Sequence, residues 1–415
     1  MKKIILVFLT IVFGSGLTVS QEHWTLLNTS NSDIPSDRTI SLGISSGDIV
    51  YIGTPGGLVD PSHVYEYNGT NWTDMDWFSE FNGMMSSPAG HLCIATGQGV
   101  FHYDGTDHTA FNDDNSNLTA NDISCLDVGP DGTEYVGMTA AGLIFTGGLG
   151  IYDGSFWAVY NKGNSPMPVN NVISVLISQT GTLWVGSQDA GLLKKNGDNW
   201  ELFDTDNSGI PGNRATHMAE ATSGMLWASF LNGSIATYDG SDWNTINGDG
   251  GFPESIVTAM LFDNNGDLWI GFENDGLGRF DGDNWVFYTD LTSPLPDNNI
   301  TGLALDSKGK VWISTQWGGL AIYDPDFGSG INDFLSPENI MVFPNPVNTN
   351  LNIRFKEISG TADLFIYNSI GQLVMQQEIN GWDHQIDCSG LVSGIYTLKL
   401  ESRKKNFSAT VPFLK

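Results

Sequence analysis

The residues that could do chemistry are scattered along the chain, and their spacing matches no familiar catalytic or metal centre. His-Glu-x-x-His and Walker patterns do not occur in the sequence. The seven histidines show no metal-ligand spacing, and the three cysteines, Cys93, Cys125 and Cys388, are odd in number and far apart. The sequence therefore predicts no catalytic residue, no metal site and no cofactor.

Two short segments come closest to a chemical site. His217 and Glu220 are the one local acid–base pair worth testing, although residues three apart on a strand point to opposite faces. Asp204–Gly209 resembles a calcium loop, but its twelfth position is Ala215 instead of Glu, and the segment also fits an ordinary connecting loop. Carboxylates are too plentiful for any Asp–Glu pair to be named as a glycosidase dyad.

The elements that position these residues repeat along the chain. When the repeats are aligned, one position always stands two residues before a small residue, and we call its members the column residues. They are aromatic in six repeats, at Tyr51, Tyr135, Trp184, Trp227, Trp269 and Trp312, and Cys93 is the seventh. The spacings are 42, 42, 49, 43, 42 and 43 residues. Repeats of this length, each with several short strands, are typical of a radial β array. We therefore predict an all-β fold with a seven-bladed β-propeller over residues 21–325.

Each repeat contains four strand signals. In one unit, the apolar run Val257–Phe262 predicts a strand buried on both faces, and Asp281-Gly282 predicts a hairpin before Trp285. The seventh repeat ends at Tyr323 without its last strand, and Trp24–Leu27 matches the missing piece. We therefore expect the two ends of the propeller to share one blade, which removes open sheet edges. The aromatic columns are interpreted as packing residues and the Asp-Gly pairs as turns.

The repeats resemble the two-component regulator propeller repeat. Its pattern, close to Asp-x-x-Gly-x-Leu-Trp-x-Gly-Thr, is clearest in Gln179–Leu193 and Asp306–Tyr323. In that family the propellers often form the extracytoplasmic sensor of hybrid kinases, frequently near genes for glycan uptake. No kinase segment follows here, so a signalling role is not expected.

Charge divides the chain near residue 340. Residues 21–339 carry 8 basic and 41 acidic side chains, whereas residues 340–415 carry 7 and 6. The acidic part argues against nucleic acid or an anionic membrane as a partner. Residues 326–339 are predicted to be a linker.

The last segment, residues 340–415, predicts a small Ig-like β-sandwich of about seven strands. It resembles the type IX secretion C-terminal sorting domain, and the positions that match its motifs are Pro344, Asn345, Pro346, Gly371, Gly394, Tyr396 and Lys415. Pro412 is expected to interrupt the last strand. The resemblance implies export by the type IX secretion machinery of the Bacteroidetes group, usually with removal of the domain.

Residues 1–20 are predicted to be a secretory signal peptide. Lys2 and Lys3 precede the apolar run Ile4–Phe13, and small residues follow it. That apolar run is too short to span a bilayer stably, and no other apolar stretch is long enough. We therefore expect no membrane span once the signal is removed.

Departures from the repeat suggest where a ligand could bind. Loops Thr54–Val64 and Met138–Gly150 are enlarged, and the loop between them into the second repeat is short. This pattern predicts a groove over blades one to three, lined by His63, Trp77, Phe78, Glu80, Gln98 and Phe145 and bordered by Gln316 and Trp317. Aromatic rings beside amide and carboxyl groups suit stacking on sugars. Drift of loops in degenerate repeats is the alternative explanation.

The sequence thus favours a secreted or cell-surface binding module with a carbohydrate or protein ligand. A polysaccharide-active lyase or hydrolase with its site at the propeller channel is a second hypothesis. A structural adhesin without a discrete pocket is a third.

Overall fold

The computed structural model describes residues 23–56, 62–75, 81–139, 146–246, 252–253, 255–325, 340–343, 347–355, 361–368, 372–380, 383–402 and 407–415. The chain divides into two compact units, residues 1–325 and residues 326–415. In the described part of the chain, no helix has the length and apolar character that crossing a membrane requires.

The first unit is a seven-bladed β-propeller, as predicted. Each blade is a four-stranded antiparallel sheet whose strands follow one another from the centre of the ring outwards. The strands of the first half are β1 (Trp24–Leu27), β2 (Ser41–Ile44), β3 (Val50–Thr54), β4 (His63–Tyr67), β5 (Trp72–Asp74), β6 (Gly83–Ser86), β7 (Leu92–Thr96), β8 (Gly99–Tyr103), β9 (His108–Phe111), β10 (Ile123–Val128), β11 (Glu134–Met138), β12 (Gly148–Tyr152) and β13 (Trp157–Tyr160).

The remaining blades continue the same order. Their strands are β14 (Val172–Ile177), β15 (Leu183–Ser187), β16 (Leu192–Asn196), β17 (Asn199–Phe203), β18 (Ala215–Glu220), β19 (Leu226–Phe230), β20 (Ile235–Tyr238), β21 (Trp243–Ile246), β22 (Val257–Phe262), β23 (Leu268–Phe272), β24 (Leu277–Phe280), β25 (Trp285–Tyr288), β26 (Ile300–Leu305), β27 (Val311–Thr315) and β28 (Gly319–Tyr323). Blade 1 is β2–β5, and the next five blades take four strands each up to β25.

Blade 7 is assembled from both ends of the propeller. Its strand order is β1-β28-β27-β26, and Trp24 pairs with Tyr323 while Leu27 pairs with Leu320. The predicted closure by Trp24–Leu27 is therefore confirmed. Because β1 pairs with the outer edge of β28, the last repeat does not leave β28 as an unpaired edge strand.

The core lies between neighbouring sheets, and the second strand of each blade is its centre. All five residues of that strand are buried in every blade except blade 3, where Tyr135 is half-buried. The column aromatic packs on the third-strand aromatic of the next blade: the ring centroids of Trp184 and Tyr238 are 5.4 Å apart, and those of Trp269 and Tyr323 are 4.9 Å apart. The repeated aromatics thus join the blades.

The innermost strands differ from the sequence expectation. Val257 is buried, but the other residues of β22 are only half-buried. Met260 and Leu261 line a central cavity of about 580 Å³, which explains their exposure. The apolar run therefore packs on its neighbours and faces the channel, instead of being buried on both faces.

The second unit is the predicted small β-sandwich. One sheet has the order β29-β30-β33 and the other β32-β31-β34-β35. The strands are β29 (Ile340–Phe343), β30 (Asn350–Phe355), β31 (Thr361–Asn368), β32 (Leu373–Asn380), β33 (Asp383–Asp387), β34 (Ile395–Ser402) and β35 (Phe407–Leu414). Pro412 does not interrupt the last strand, because β35 is an edge strand and an edge tolerates proline.

Candidate functional site

The propeller has two faces with different loops. Loops that join the second and third strands of a blade lie on the same face as loops that lead from one blade to the next, because both follow strands running in the same direction. We call this the loop face, and the face with the other turns the hairpin face. The predicted groove residues belong to connections on the loop face.

Trp317 is the most exposed aromatic side chain among the described residues of the loop face. It lies between β27 and β28 and is 63% exposed. The Arg38 guanidinium is 4.7 Å from the centroid of its indole ring, and the Trp317 backbone N–H donates to Asp297 Oδ2 at 2.8 Å. Blades 4, 5 and 6 carry Asp189, Asn232 and Asn274 at the equivalent position. Blade 7 therefore holds an aromatic where the repeat has small polar residues.

The loop that carries Arg38 is joined to the Trp317 loop by backbone hydrogen bonds. The Thr39 N–H donates to the Thr315 carbonyl at 3.2 Å, and the Gly319 N–H donates to the Asp37 carbonyl at 2.8 Å. The Thr39 hydroxyl adds a side-chain bond of 2.7 Å to the Thr315 carbonyl. Gly319 has a φ of 79°, and a Cβ there would lie 2.3 Å from the Leu27 carbonyl oxygen, so glycine is required. These contacts fix the relative position of Arg38 and Trp317.

The other described groove residues lie on the same face. His63 begins β4, and its Nδ1 is 2.9 Å from Asp74 Oδ2. Gln98 is exposed in the turn between β7 and β8, and the Gln316 N–H donates to the Asn299 carbonyl at 2.9 Å. Trp77, Phe78, Glu80 and Phe145 lie outside the described residues. The predicted lining is thus seen only in part.

The central cavity opens among the innermost strands of blades 1, 2, 6 and 7. Its two carboxylates have structural hydrogen bonds: Asp48 accepts from the Ser307 backbone at 2.8 Å, and Asp306 accepts from Trp312 Nε1 at 3.1 Å. The hydrogen bonds from Ser307 lower the pKa of Asp48. A carboxylate with a lowered pKa is poorly suited to act as a general acid.

His217 and Glu220 do not form an acid–base pair in the structure. The two residues pair with Ser229 and Leu226 in regular register, so their side chains leave opposite faces of the sheet. Glu220 Oε2 instead accepts from the Gln179 N–H at 3.2 Å, and burial lowers the pKa of His217 to about 4. His217 is therefore neutral near pH 7.

The segment Asp204–Gly209 is the connection from blade 4 to blade 5. Asp204 Oδ1 accepts from the N–H groups of Asp206 and Asn207, each at 2.9 Å. At the equivalent place before blade 3, Asn112 Oδ1 accepts from the N–H groups of the residues two and three further on. The Asn112 amide oxygen thus accepts the same turn hydrogen bonds as the Asp204 carboxylate. This equivalence favours an ordinary connecting loop over a calcium site.

Sequence reasoning missed a polar cluster between blades 2 and 3. His91, Cys93 and His102 belong to blade 2, and Glu134 at the start of β11 belongs to blade 3. His102 Nε2 lies 2.8 Å from Glu134 Oε2, and His91 Nε2 lies 3.2 Å from Oε1. Burial raises the pKa of Glu134, but the hydrogen bonds from His102 and His91 outweigh it and leave that pKa below its ordinary value.

A signal for this cluster was present in the sequence. Glu134 stands directly before a column residue, where the other six blades have Val50, Leu92, Leu183, Leu226, Leu268 and Val311. All six are buried aliphatic residues, and Glu134 is buried as well. A carboxylate in an aliphatic column requires polar partners.

The C-terminal motif residues make specific contacts within the second unit. Gly394 and Lys415 exchange two backbone hydrogen bonds of 2.9 Å, and Lys415 Nζ also donates to the Asn348 carbonyl. The buried Tyr396 donates its hydroxyl to the Val392 carbonyl at 2.8 Å. Pro344, Asn345, Pro346 and Gly371 lie outside the described residues. The terminal lysine and Gly394 thus close the end of the β34–β35 pair.

Comparison with protein families identifies this unit. Residues 341–411 match the secretion system C-terminal sorting domain. The second unit is a type IX secretion sorting domain. Residues 251–274 and 294–317 match the two component regulator propeller. Because a sorting domain directs export, the protein is secreted or displayed on the outer surface.

Solved structures with the same fold include other propellers. PorZ, described as an essential surface component of the type IX secretion system of Porphyromonas gingivalis, is 18% identical with a TM-score of 0.60, covering 92% of this chain. An extracellular domain assigned to a hybrid two component system of B. thetaiotaomicron is 16% identical with a TM-score of 0.59 and 94% coverage. This chain spans 59% and 57% of the length of these two proteins.

A shorter relative by fold is an enzyme. Virginiamycin B lyase from Staphylococcus aureus is 12% identical with a TM-score of 0.55; the match covers 72% of this chain and 98% of the lyase. At these identities the likeness concerns the fold alone. No curated protein matches the chain by sequence.

Proposed function

We propose that the propeller is an extracellular binding module whose loop face binds carbohydrate at Trp317. The observation that supports this proposal is the exposed indole, held in place by Arg38 and Asp297. Trp317 also departs from the small polar residues of neighbouring blades.

The surroundings of Trp317 suit a sugar ring. The indole can stack on the apolar face of a pyranose, while polar groups beside it orient the hydroxyl groups. Arg38 covers part of the ring and offers guanidinium donors, and Gln316 adds an amide next to it. Since the two loops are already joined by backbone hydrogen bonds, binding would order few side chains.

The groove over blades 1 to 3 is proposed as an extension of this site. His63 and Gln98 belong to the same face, and Trp77, Phe78, Glu80 and Phe145 would add the remaining walls. A site of that length fits several sugar units rather than one. The net charge of the chain, −30, favours neutral or basic ligands over polyanionic glycans.

Export is proposed to use two removable segments. Residues 1–20 would direct passage through the inner membrane, and the sorting domain would direct passage through the outer membrane. Cleavage within residues 326–339 would then release the propeller, residues 21–325, or leave it at the surface.

A glycan array with the full exported chain tests this proposal. We expect retention of a restricted set of neutral oligosaccharides, recovered with unchanged mass after incubation. Hydrolysed or eliminated products would show an enzyme instead. Retention of no glycan, with capture of a single protein from the cell surface, would show a protein-binding module.

A further inference from the structure

Two departures from the repeat meet between blades 2 and 3. Cys93 replaces the column aromatic, and Glu134 replaces an aliphatic residue. His102 stands directly before the third-strand aromatic Tyr103, at a position that varies among the blades. Cys93 and His102 are direct cross-strand partners, and His91 lies two residues before Cys93 on the same side of the strand. Three potential ligands of blade 2 therefore face one carboxylate of blade 3.

The ligand atoms of these four residues form a compact set. One nitrogen of each histidine, the Cys93 sulfur and a Glu134 oxygen all lie within 4.8 Å of one another. The two imidazole rings have centroids 4.4 Å apart, and both turn Nε2 toward the same carboxylate. The donors thus converge on one point rather than forming separate pairs.

We propose that His91, Cys93, His102 and Glu134 bind a zinc ion that links blade 2 to blade 3. Imidazole nitrogen, thiolate sulfur and carboxylate oxygen are each ligand types that Zn²⁺ binds, and four of them can complete a tetrahedral shell. Ligand bonds of about 2.0–2.3 Å place tetrahedral ligand atoms about 3.3–3.8 Å apart, so small shifts of these side chains suffice. On binding, the Cys93 thiol releases its proton to solvent and the sulfur bonds to the metal.

Charge and packing both favour a cation at this place. A thiolate and a carboxylate together neutralise Zn²⁺, and the Glu134 side chain, which is only 2% exposed, needs a compensating cation or hydrogen bonds. Other blades join through a large column aromatic, which Cys93 cannot replace in volume. A metal link would add to the contacts that His102 and Phe111 of blade 2 already make with Tyr152 of blade 3.

The same positions in blade 6 show what an ordinary ion pair looks like. There Asp267 and Arg279 take the places of His91 and His102, and Arg279 Nε donates to Asp267 Oδ2 at 2.7 Å. The column residue Trp269 packs under the guanidinium. That pair balances its charge without a metal, whereas the blade 2 cluster offers three metal-ligating groups to one carboxylate.

The site is partly exposed at its edge on the hairpin face. The side chain of His91 is 23% exposed, and His91 also lines a cavity of about 200 Å³ between blades 1 and 2 on the hairpin face. Four protein ligands complete a tetrahedral shell, so the metal is expected to be structural. This inference does not depend on the loop face, which lies at the opposite end of the strands.

Metal analysis of the full chain tests the proposal. After removal of metals by a chelator and dialysis against ZnCl₂, mass spectrometry of the metal content should find one zinc per chain, and the melting temperature should rise with ZnCl₂ but not with MgCl₂. With CoCl₂, a thiolate-to-cobalt charge-transfer band should appear in the near ultraviolet. No zinc retained beyond the MgCl₂ control would overturn the site.

Variants locate the ion. Cys93→Ser should lose the charge-transfer band and weaken zinc binding by at least about 10–100-fold. That is the loss typical when only a hydrogen-bond partner of a metal ligand is removed, and removing a ligand itself should cost no less. Cys125→Ser is the matched control, and it should keep both the band and the zinc. If Cys93→Ser does not fold, His91→Gln at the exposed edge should weaken zinc binding similarly. An unchanged band in Cys93→Ser, unchanged affinity in His91→Gln, or equal loss in the control would contradict the proposal.

Discussion

Trp24 and Tyr323 face each other across the seam of the ring. They are register partners in β1 and β28, and their ring centroids lie 5.2 Å apart at an interplanar angle of 74°. Trp24 also contacts Tyr288 of blade 6 edge-on, with centroids 5.4 Å apart. One residue near the start of the described chain therefore packs on the last two blades.

Removing the Trp24 indole should open the seam. Trp24→Ala is expected to lower the free energy of unfolding by about 3–5 kcal/mol, because a buried aromatic is lost and the cavity stays between two sheets. Chemical denaturation of the full chain measures the change. Trp24→Phe should cost much less, because the ring is kept and the indole Nε1, which is buried without a hydrogen-bond partner, is removed.

An exposed aromatic provides the baseline for that measurement. Phe156, in the hairpin of blade 3, is 56% exposed, and Phe156→Ala should change stability by no more than about 0.5 kcal/mol. Equal effects of Trp24→Ala and Phe156→Ala would contradict the role of β1 in closing the ring.

The ion pair of blade 6 should be costly to break from one side. Arg279 donates to the buried Asp267 and to the Tyr323 hydroxyl, the latter at 3.1 Å. Arg279→Leu leaves a buried carboxylate without its partner and should destabilise the chain by about 3–5 kcal/mol. The measurement is again the free energy of unfolding.

A double variant separates pairing from packing in this case. Asp267→Asn combined with Arg279→Leu removes the unpaired charge and should recover much of the loss seen in Arg279→Leu. A double variant less stable than the single one would show that the two side chains contribute through packing rather than charge.

His217 should make the propeller sensitive to mild acid. Burial lowers its pKa to about 4 from the ordinary 6.5, so between these values the unfolded chain binds a proton that the folded chain does not. The free energy of unfolding is therefore unaffected by protonation of His217 above pH 6.5 and decreases as the pH falls toward 4. Asp127, whose pKa burial raises to about 6, has the opposite slope, so the native chain alone is not decisive.

Comparison of variants isolates the His217 effect. Between pH 7 and pH 4.5, the melting temperature of His217→Gln should fall by a few degrees less than that of the native chain. His108→Gln, on the exposed fourth strand of blade 2, serves as the control and should follow the native curve. Parallel curves for all three proteins would show that His217 titrates normally.

The sequence predicted the propeller because each blade repeats the same local signals. Trp24–Leu27 and Val257–Phe262 form strands with the predicted bounds, since alternating and apolar runs between turn residues leave little choice. Pro412 was misjudged because its effect depends on whether β35 is an edge strand, which only the sheet order reveals.

The candidate sites were harder to predict because they join distant segments. Arg38 meets Trp317 only through ring closure, and Glu134 meets His102 only because adjacent blades stack. Spacing along the chain carries no information on such contacts between sheets. The departures from the repeat at Glu134, Cys93 and Trp317 were the readable signs.

The binding function depends most directly on Trp317. Isothermal titration calorimetry of the native chain with an oligosaccharide retained on the array should give measurable heat. Trp317→Ala should weaken binding by at least about tenfold, because truncating an aromatic residue at the centre of a binding site typically costs about 2 kcal/mol or more. Phe156→Ala, on the opposite face, should bind like the native chain. Unchanged affinity in Trp317→Ala would contradict the proposed site.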